Sequence, residues 1–135
     1  MIVPSGRIII TTPNISAIRS RWRYFLTGHH NKCKSPLNEE NITPLHHKSM
    51  MSFPEMRYIL HTTGFEIEKV RTNRIKVISY LYGIFYPLLY LTTSMVYSKE
   101  EPDLEQRKRN AAIKKAMFSN FVYYGETIII CARKK

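Results

Sequence analysis

The chain has 135 residues, of which 44% are hydrophobic; this suits one domain with a real core and excludes a disordered tail. Its formal net charge of +11 and pI of about 9.8 favour anionic surroundings such as phosphates, nucleic acid or an acidic membrane surface. Two cysteines are too few for a disulfide framework, so we expect a reducing, cytoplasmic location. The first residues do not have the pattern of a signal peptide.

A β-branched run near the start predicts the first strand. Ile8 to Ile10 and the two threonines after them follow Gly6 and precede Pro13 and Asn14, so turn residues flank the run on both sides. This pattern is typical of a short strand that is buried on both faces inside a parallel sheet. We expect such a strand to lie at an open sheet edge in this chain and to favour association.

Residues 15–27 have the spacing of an amphipathic helix, with arginines on most of the remaining arc. We expect Asn14 or Ser16 to cap the start of this helix and Gly28 to end it. Its apolar positions are Ile15, Ile18, Trp22, Phe25 and Leu26.

The segment 29–51 is polar and has no clear period, which predicts a long loop. Its side chains that are able to bind a metal ion are His29, His30, Cys33, His46 and His47. Their spacing lacks the Cys-x-x-Cys or His-x-x-x-His geometry of zinc sites, so we predict a solvated loop without a metal ion. His61, on the polar side of the following helix, is expected to be plain surface.

A second helix is predicted to begin at residue 53. Ser52 and Glu55 form a capping box, and Pro54 is tolerated in the first turn. Gly64 ends the helix, and residues 65–70 then alternate apolar and charged side chains, as a half-exposed edge strand does. The buried stripe of the helix is predicted to be Phe53, Met56, Ile59 and Leu60.

Residues 77–98 carry no charged side chain. As one helix the stretch would reach about 33 Å, enough to cross a bilayer. Spanning is disfavoured because Gly83 and Pro87 interrupt the stretch, and because the strands on either side of it are expected to pair in one sheet. The alternatives are an interfacial, lipid-facing lid and ordinary packing against the domain. Basic residues flank the stretch on both sides and would suit an anionic lipid surface.

The last part of the chain predicts a helix over 103–119. Basic clusters at 107–109 and 114–115 would suit the phosphates of nucleic acid. No recognised nucleic-acid motif accompanies them, so a solvated basic face is the favoured interpretation.

The order of these segments resembles the C-terminal half of class I S-adenosylmethionine-dependent methyltransferases, in the branch that includes quinone-biosynthesis and other small-molecule enzymes. The resemblance covers residues 1–71 and, more weakly, 121–133, where the segment 124–132 looks like the final strand of the family. The segments that carry it are the run from Gly6 to Asn14, the Arg-rich helix that ends in Phe25-Leu26-Thr27-Gly28, Ile42-Thr43-Pro44, and Thr63 to Ile67.

The chain departs from the family at two points. A Pro-Gly-Gly turn precedes the fifth strand of those enzymes, whereas this chain has Pro4-Ser5-Gly6. The family branch tends to carry a histidine before the Ile-x-Pro step, whereas Asn41 stands here, so no role of that histidine is carried over.

The resemblance implies an α/β fold, namely the C-terminal part of a Rossmann-like sheet with about three strands, the last two antiparallel. Helices would flank the sheet, and residues 72–120 would form an apolar and basic helical insertion in a single partial domain over 1–135. The family holds S-adenosylmethionine with a Gly-rich loop and an acidic residue. The glycines here, at 6, 28, 64, 83 and 125, are too dispersed for that loop. We therefore expect a missing N-terminal half and no cofactor binding by this chain alone.

The implied function is methyl transfer to a small, lipophilic acceptor, by a fragment that is inactive alone. Open α/β sheets place their ligands at the carboxyl ends of the strands. The substrate-facing candidates are therefore Thr12, Pro13, Asn14, Arg19 and Trp22, and no catalytic residue is assigned. The alternative interpretation is that Pro13 and Asn14 only stop a strand and cap a helix, and that Arg19 lies on a solvated face.

Two other functions stay open. A non-enzymatic basic module would bind a membrane surface through residues 77–98, which would make a cytoplasmic protein peripheral at the membrane. A nucleic-acid-binding protein is the less favoured possibility.

Overall fold

The computed structural model describes residues 5–33, 36, 49–99 and 102–135. The fold is mixed α/β, with a three-stranded antiparallel sheet and helices packed against it. In chain order the elements are β1 (Arg7–Pro13), α1 (Ile18–Thr27), α2 (Phe53–Thr62), β2 (Phe65–Arg71), α3 (Val77–Leu81), a 3-10 turn (Tyr82–Phe85), α4 (Tyr86–Lys99), α5 (Leu104–Met117), α6 (Asn120–Tyr123) and β3 (Thr127–Lys134).

β3 is the central strand, and β1 and β2 lie on either side of it. Both run antiparallel to β3, with Ile10 and Val70 opposite Ile130, so β1 and β2 point in the same direction. The prediction that the last two strands pair antiparallel is confirmed. β2 is the predicted edge strand, and a bulge between Ile67 and Lys69 interrupts its alternation.

β1 is an edge strand in an antiparallel pair, so the prediction that it is buried on both faces of a parallel sheet is wrong. Ile8 and Ile10 are half-buried against the core, whereas Ile9 on the opposite face is 70% exposed. The three isoleucines are equally apolar, and only the placement of the helices decides which face of the strand is covered.

The core lies between one face of the sheet and α2. Ser52 donates its backbone N–H to Glu55 Oε2 at 2.6 Å, which confirms the capping box. Ile59 is 44% exposed, so its prediction as a core residue is wrong; it lies at the border of the arc that faces the sheet. The buried core side chains are Phe53, Met56, Leu60, Met117, Val122, Ile128, Ile130 and Ala132.

α1 begins later than predicted, at Ile18, and ends at Gly28, whose left-handed φ of 68° fits the predicted stop. The predicted capping of its start is wrong, because the N-cap is Ala17. The Ser16 hydroxyl instead accepts a hydrogen bond from the Phe53 N–H at 2.8 Å. Ser16, a residue type that often caps helices, therefore joins the start of α2 to the turn between β1 and α1.

The uncharged stretch 77–98 folds as α3, the 3-10 turn and most of α4. The interruption lies where it is predicted, with Gly83 in the 3-10 turn and Pro87 in the first turn of α4. Within the described ranges, no helix combines the length and the apolar character that a membrane span requires. α5 begins after Asp103, whose carboxylate accepts from the Glu105 N–H at 2.9 Å, and lies inside the predicted 103–119.

Candidate functional site

The carboxyl ends of β1 and β2 meet at the amino end of β3. Pro13 lies opposite Thr127 in the register of the sheet, directly after Glu126. The Glu126 carbonyl accepts from the Asn14 N–H at 3.1 Å, and the Glu126 N–H donates to the Arg74 carbonyl at 3.1 Å. Segments that follow both edge strands are therefore joined through one residue.

Asn14 is 4% exposed and locks the turn that leads into β3. Its Nδ2 donates to the Val122 carbonyl at 2.7 Å and to the Gly125 carbonyl at 2.9 Å. Its Oδ1 is buried and has no hydrogen-bond partner among the described residues. Asn14 therefore does not cap α1, and it leaves one buried acceptor unpaired within the described residues.

Gly125 allows the close packing of this turn. A Cβ at this position would collide with the Phe121 carbonyl oxygen and would lie 2.6 Å from Thr72 Oγ1. The lack of a side chain, rather than an unusual φ, is what the position requires.

Glu126 is the electrostatic centre of the site, and its side chain is 14% exposed. Arg74 donates a hydrogen bond to the carboxylate through Nε, and the Nζ atoms of Lys76 and Lys32 lie 3.0 and 3.6 Å from it. The hydrogen bond from Arg74 is the main cause that lowers the pKa of Glu126 to about 2; burial opposes it and the lysines add to it. Three cations around one carboxylate leave an excess of positive charge, which suits an anionic group of a ligand.

A cavity of about 20 Å³ lies beside this cluster, with room for about one water molecule. Pro13, Asn14 and Arg19 line it together with Glu126 and Tyr124. The structure therefore brings together three of the five residues that the sequence predicts for the site.

The other two predicted residues lie elsewhere. Thr12 is opposite Ile128 on the face of the sheet that carries the core, away from the cavity. Trp22 stacks on Phe85, with ring centroids 4.6 Å apart. Trp22 and Arg19 also line a shallow pocket of about 270 Å³ beside α1. This pocket shares Arg19 with the small cavity, so Trp22 lies one pocket away from the cluster around Glu126.

An apolar groove of about 270 Å³ lies between α1 and the start of α4. Phe25, which lines this groove, is 79% exposed and the neighbouring Leu26 is 61% exposed, so the prediction that the apolar side of α1 faces inward is wrong for its last turn. Burial lowers the pKa of Arg21, whose side chain lies along the groove near Tyr97 and Tyr123. The residues that line the groove are Ile18, Arg21, Trp22, Phe25, Phe85, Leu88 and Leu89.

The histidines described by the structure have local roles. His30 Nδ1 lies 3.0 Å from Ser20 Oγ, and its ring stacks on Tyr24 at 4.5 Å. Burial lowers the pKa of His61, and its Nε2 is buried without a hydrogen-bond partner in the described chain, so its prediction as plain surface is wrong. Among the described residues, no group of His, Cys, Asp and Glu side chains is arranged to hold a metal ion.

Several predictions from the sequence fall outside the described ranges. These are the predictions that concern Pro4, Asn41, Ile42-Thr43-Pro44, His46, His47 and most of the loop predicted over 29–51.

Sequence reasoning missed Arg74, Gly125 and Glu126. The available signal was slight: Glu126 is the single acidic residue in 106–135, and Gly125 directly precedes it. No protein-family model matches the chain, and a search of curated proteins finds no significant match.

Proposed function

We propose that this chain is the acceptor-side part of a class I S-adenosylmethionine-dependent methyltransferase and that the strands that bind the cofactor lie outside these 135 residues. The observation that carries the proposal is the sheet. Two strands of the same direction flank an antiparallel last strand, and their carboxyl ends converge on the cluster around Glu126. Open α/β sheets bind ligands at that end.

The outer edge of β1 supports the proposal that further strands lie outside these 135 residues. Within the described residues β1 pairs only with β3, and Ile9 is 70% exposed. An apolar, β-branched strand at an open edge is a site where a further strand pairs. None of the dispersed glycines forms the phosphate-binding or nucleoside-binding loop that this class of enzyme needs, so the added strands would supply it.

On this proposal, α1 positions the methyl acceptor. An anionic or polar end of the acceptor would lie near Arg19 and the positive cluster around Glu126, and an apolar part would lie in the groove beside Trp22. Methyl transfer is a displacement that gains much of its rate from orientation of the reacting groups. These residues would therefore bind and orient the acceptor, and none of them has to carry a proton.

The experiment starts with the DNA upstream of the Met1 codon and the mass of the protein purified from its own source. We expect a longer product that includes a Gly-rich loop and that transfers a tritiated methyl group from S-adenosylmethionine to an apolar extract. In that product, Arg19→Ala should raise KM for the acceptor by about tenfold, the equivalent of one charge-assisted hydrogen bond.

The matched control is Arg109→Ala, which removes an exposed arginine from α5 and should leave KM unchanged. A longer product that binds no S-adenosylmethionine would refute the proposal, as would a native mass equal to that of the 135 residues with no second polypeptide attached.

A further inference from the structure

An apolar stripe runs along the outside of α3, the 3-10 turn and α4. Within α3 and within α4 its members recur at intervals of three or four residues, the spacing of one helix face, and one further member lies in the 3-10 turn between these helices. We name this stripe the outer ridge, and all of its side chains are more than half exposed: Val77 84%, Leu81 71%, Ile84 78%, Leu88 60%, Leu91 55% and Met95 64%.

The side of these helices that faces the protein mixes polar side chains with aromatic ones, such as Tyr86 and Tyr90, which pack on Phe118. Ser79 is 3% exposed, Ser94 Oγ accepts from Lys114 Nζ at 3.0 Å, and Tyr97 donates its hydroxyl to Met117 Sδ at 3.2 Å. A helix on the surface of a water-soluble domain directs its polar side outward, whereas the outward side here carries the apolar ridge. The outer ridge is therefore built to contact something apolar outside the described chain.

The exposed apolar surface extends beyond one helix. Phe25 on α1 is 79% exposed and lines the same groove as Leu88, and Trp22 stacks on Phe85 between them. A coiled-coil seam is a narrow stripe along one helix. A surface that spans two helices instead suits a broad, flat partner.

Within the segment that carries the outer ridge the charged residues have one sign, and the acidic residues Glu100, Glu101 and Asp103 follow it. From residue 69 to residue 99 every charged residue is Lys or Arg, and the chain as a whole carries +11. Arg74 and Lys76 stand directly before the ridge and share the Glu126 carboxylate with Lys32, which leaves this cluster with a net positive charge. Lys114 Nζ lies 4.7 Å from the centre of the Tyr90 ring beside the ridge. This charge is complementary to an anionic surface, and it opposes the approach of a second copy of the same chain.

We propose that the outer ridge docks on the surface of an anionic lipid bilayer. α3 and α4 would lie along the plane of the membrane, with the ridge side chains and Phe25 among the acyl chains and the basic residues at the headgroups. Exposed tyrosines such as Tyr80 and Tyr90, 51% and 38% exposed, would lie at the level of the interface. This inference does not depend on methyl transfer.

The test is co-sedimentation of the 135-residue chain with vesicles of phosphatidylcholine, with and without phosphatidylserine. We expect binding to the vesicles that contain phosphatidylserine, weakened as the salt concentration rises. The double variant Leu81→Gln and Leu88→Gln should lose about tenfold or more in affinity for the vesicles, because binding then no longer transfers two leucine side chains from water into the bilayer. The matched control is Leu104→Gln on α5, which is 68% exposed and lies off the ridge, and it should bind as the wild type does.

A second readout needs no variant. Trp22 is the chain's single tryptophan and lies beside the ridge, so its fluorescence should shift to shorter wavelength on the anionic vesicles and should be quenched by brominated lipids. Three results would overturn the inference. The wild-type chain could bind neither vesicle type, it could bind both equally, or the double variant could bind as tightly as the wild type. Sedimentation equilibrium that shows a wild-type dimer and a monomeric double variant would also overturn it, because the ridge would then be a contact between copies.

Discussion

Replacing Glu126 with Gln tests whether its carboxylate holds the carboxyl end of the sheet together. The substitution keeps the shape of the side chain and removes the charge that Arg74, Lys76 and Lys32 share. Because Arg74 is 61% exposed and Lys76 36% exposed, solvent screens these pairs. We therefore expect the free energy of unfolding at about pH 7 to fall by about 1 kcal/mol, near the upper end for solvent-screened pairs.

The contribution of Glu126 to the free energy of unfolding should depend on pH. The pKa of Glu126 is lowered from 4.5 to about 2 in the folded chain, so its contribution is fully present above the unfolded pKa and disappears as the pH falls through the folded one. Urea unfolding followed by circular dichroism should therefore separate wild type from Glu126→Gln at about pH 7 and bring them together near pH 2. Glu105→Gln, which removes an exposed pair with Lys108, is the control and should change stability by less than about 0.5 kcal/mol. Equal stabilities of wild type and Glu126→Gln at pH 7, or a difference that persists unchanged at pH 2, would refute the reasoning.

Three further predictions concern the turn before β3. Asn14→Ala should destabilise the chain by about 2 kcal/mol in urea unfolding, since the buried carbonyls of Val122 and Gly125 lose their donor; a loss below about 0.5 kcal/mol would contradict the described hydrogen bonds. Gly125→Ala should cost at least about 2 kcal/mol because its Cβ collides with the Phe121 carbonyl oxygen, and an unchanged melting temperature would show that the turn is looser. Burial raises the pKa of Tyr123 to about 12, and its hydroxyl is buried with no partner among the described residues. Tyr123→Phe should therefore be neutral or stabilise the fold by about 1 kcal/mol. In an ultraviolet titration of the variant, the ionisation step at the highest pH should be absent. Marked destabilisation would show that the Tyr123 hydroxyl has a hydrogen-bond partner.

Local signals in the sequence predict the elements whose causes are local. The capping box of Ser52 and Glu55, the stop at Gly28 and the interruption at Gly83 and Pro87 all depend on neighbours a few residues away, and the structure confirms them. The edge position of β2 follows from alternation along the strand itself.

The arrangement of the site depends on partners far apart in the chain, which no local pattern reveals. The hydrogen bond from Asn14 to Val122 joins residues that are 108 positions apart in the sequence, and the one from Arg74 to Glu126 joins residues that are 52 positions apart. A residue such as Asn14 fits a helix cap and a buried turn equally well from its chemistry alone. The same holds for Ile9 and Phe25, because an apolar side chain does not reveal whether a neighbour exists to cover it.

We propose that this chain supplies the acceptor side of a methyltransferase and not its cofactor site. The most direct measurement is calorimetric titration of the purified 135-residue chain with S-adenosylmethionine, with S-adenosylhomocysteine as a check on the same sample. We predict no heat of binding for either compound, because no Gly-rich loop is present in the sequence. Saturable binding with a micromolar Kd would contradict the account, since these residues would then build a cofactor site by themselves.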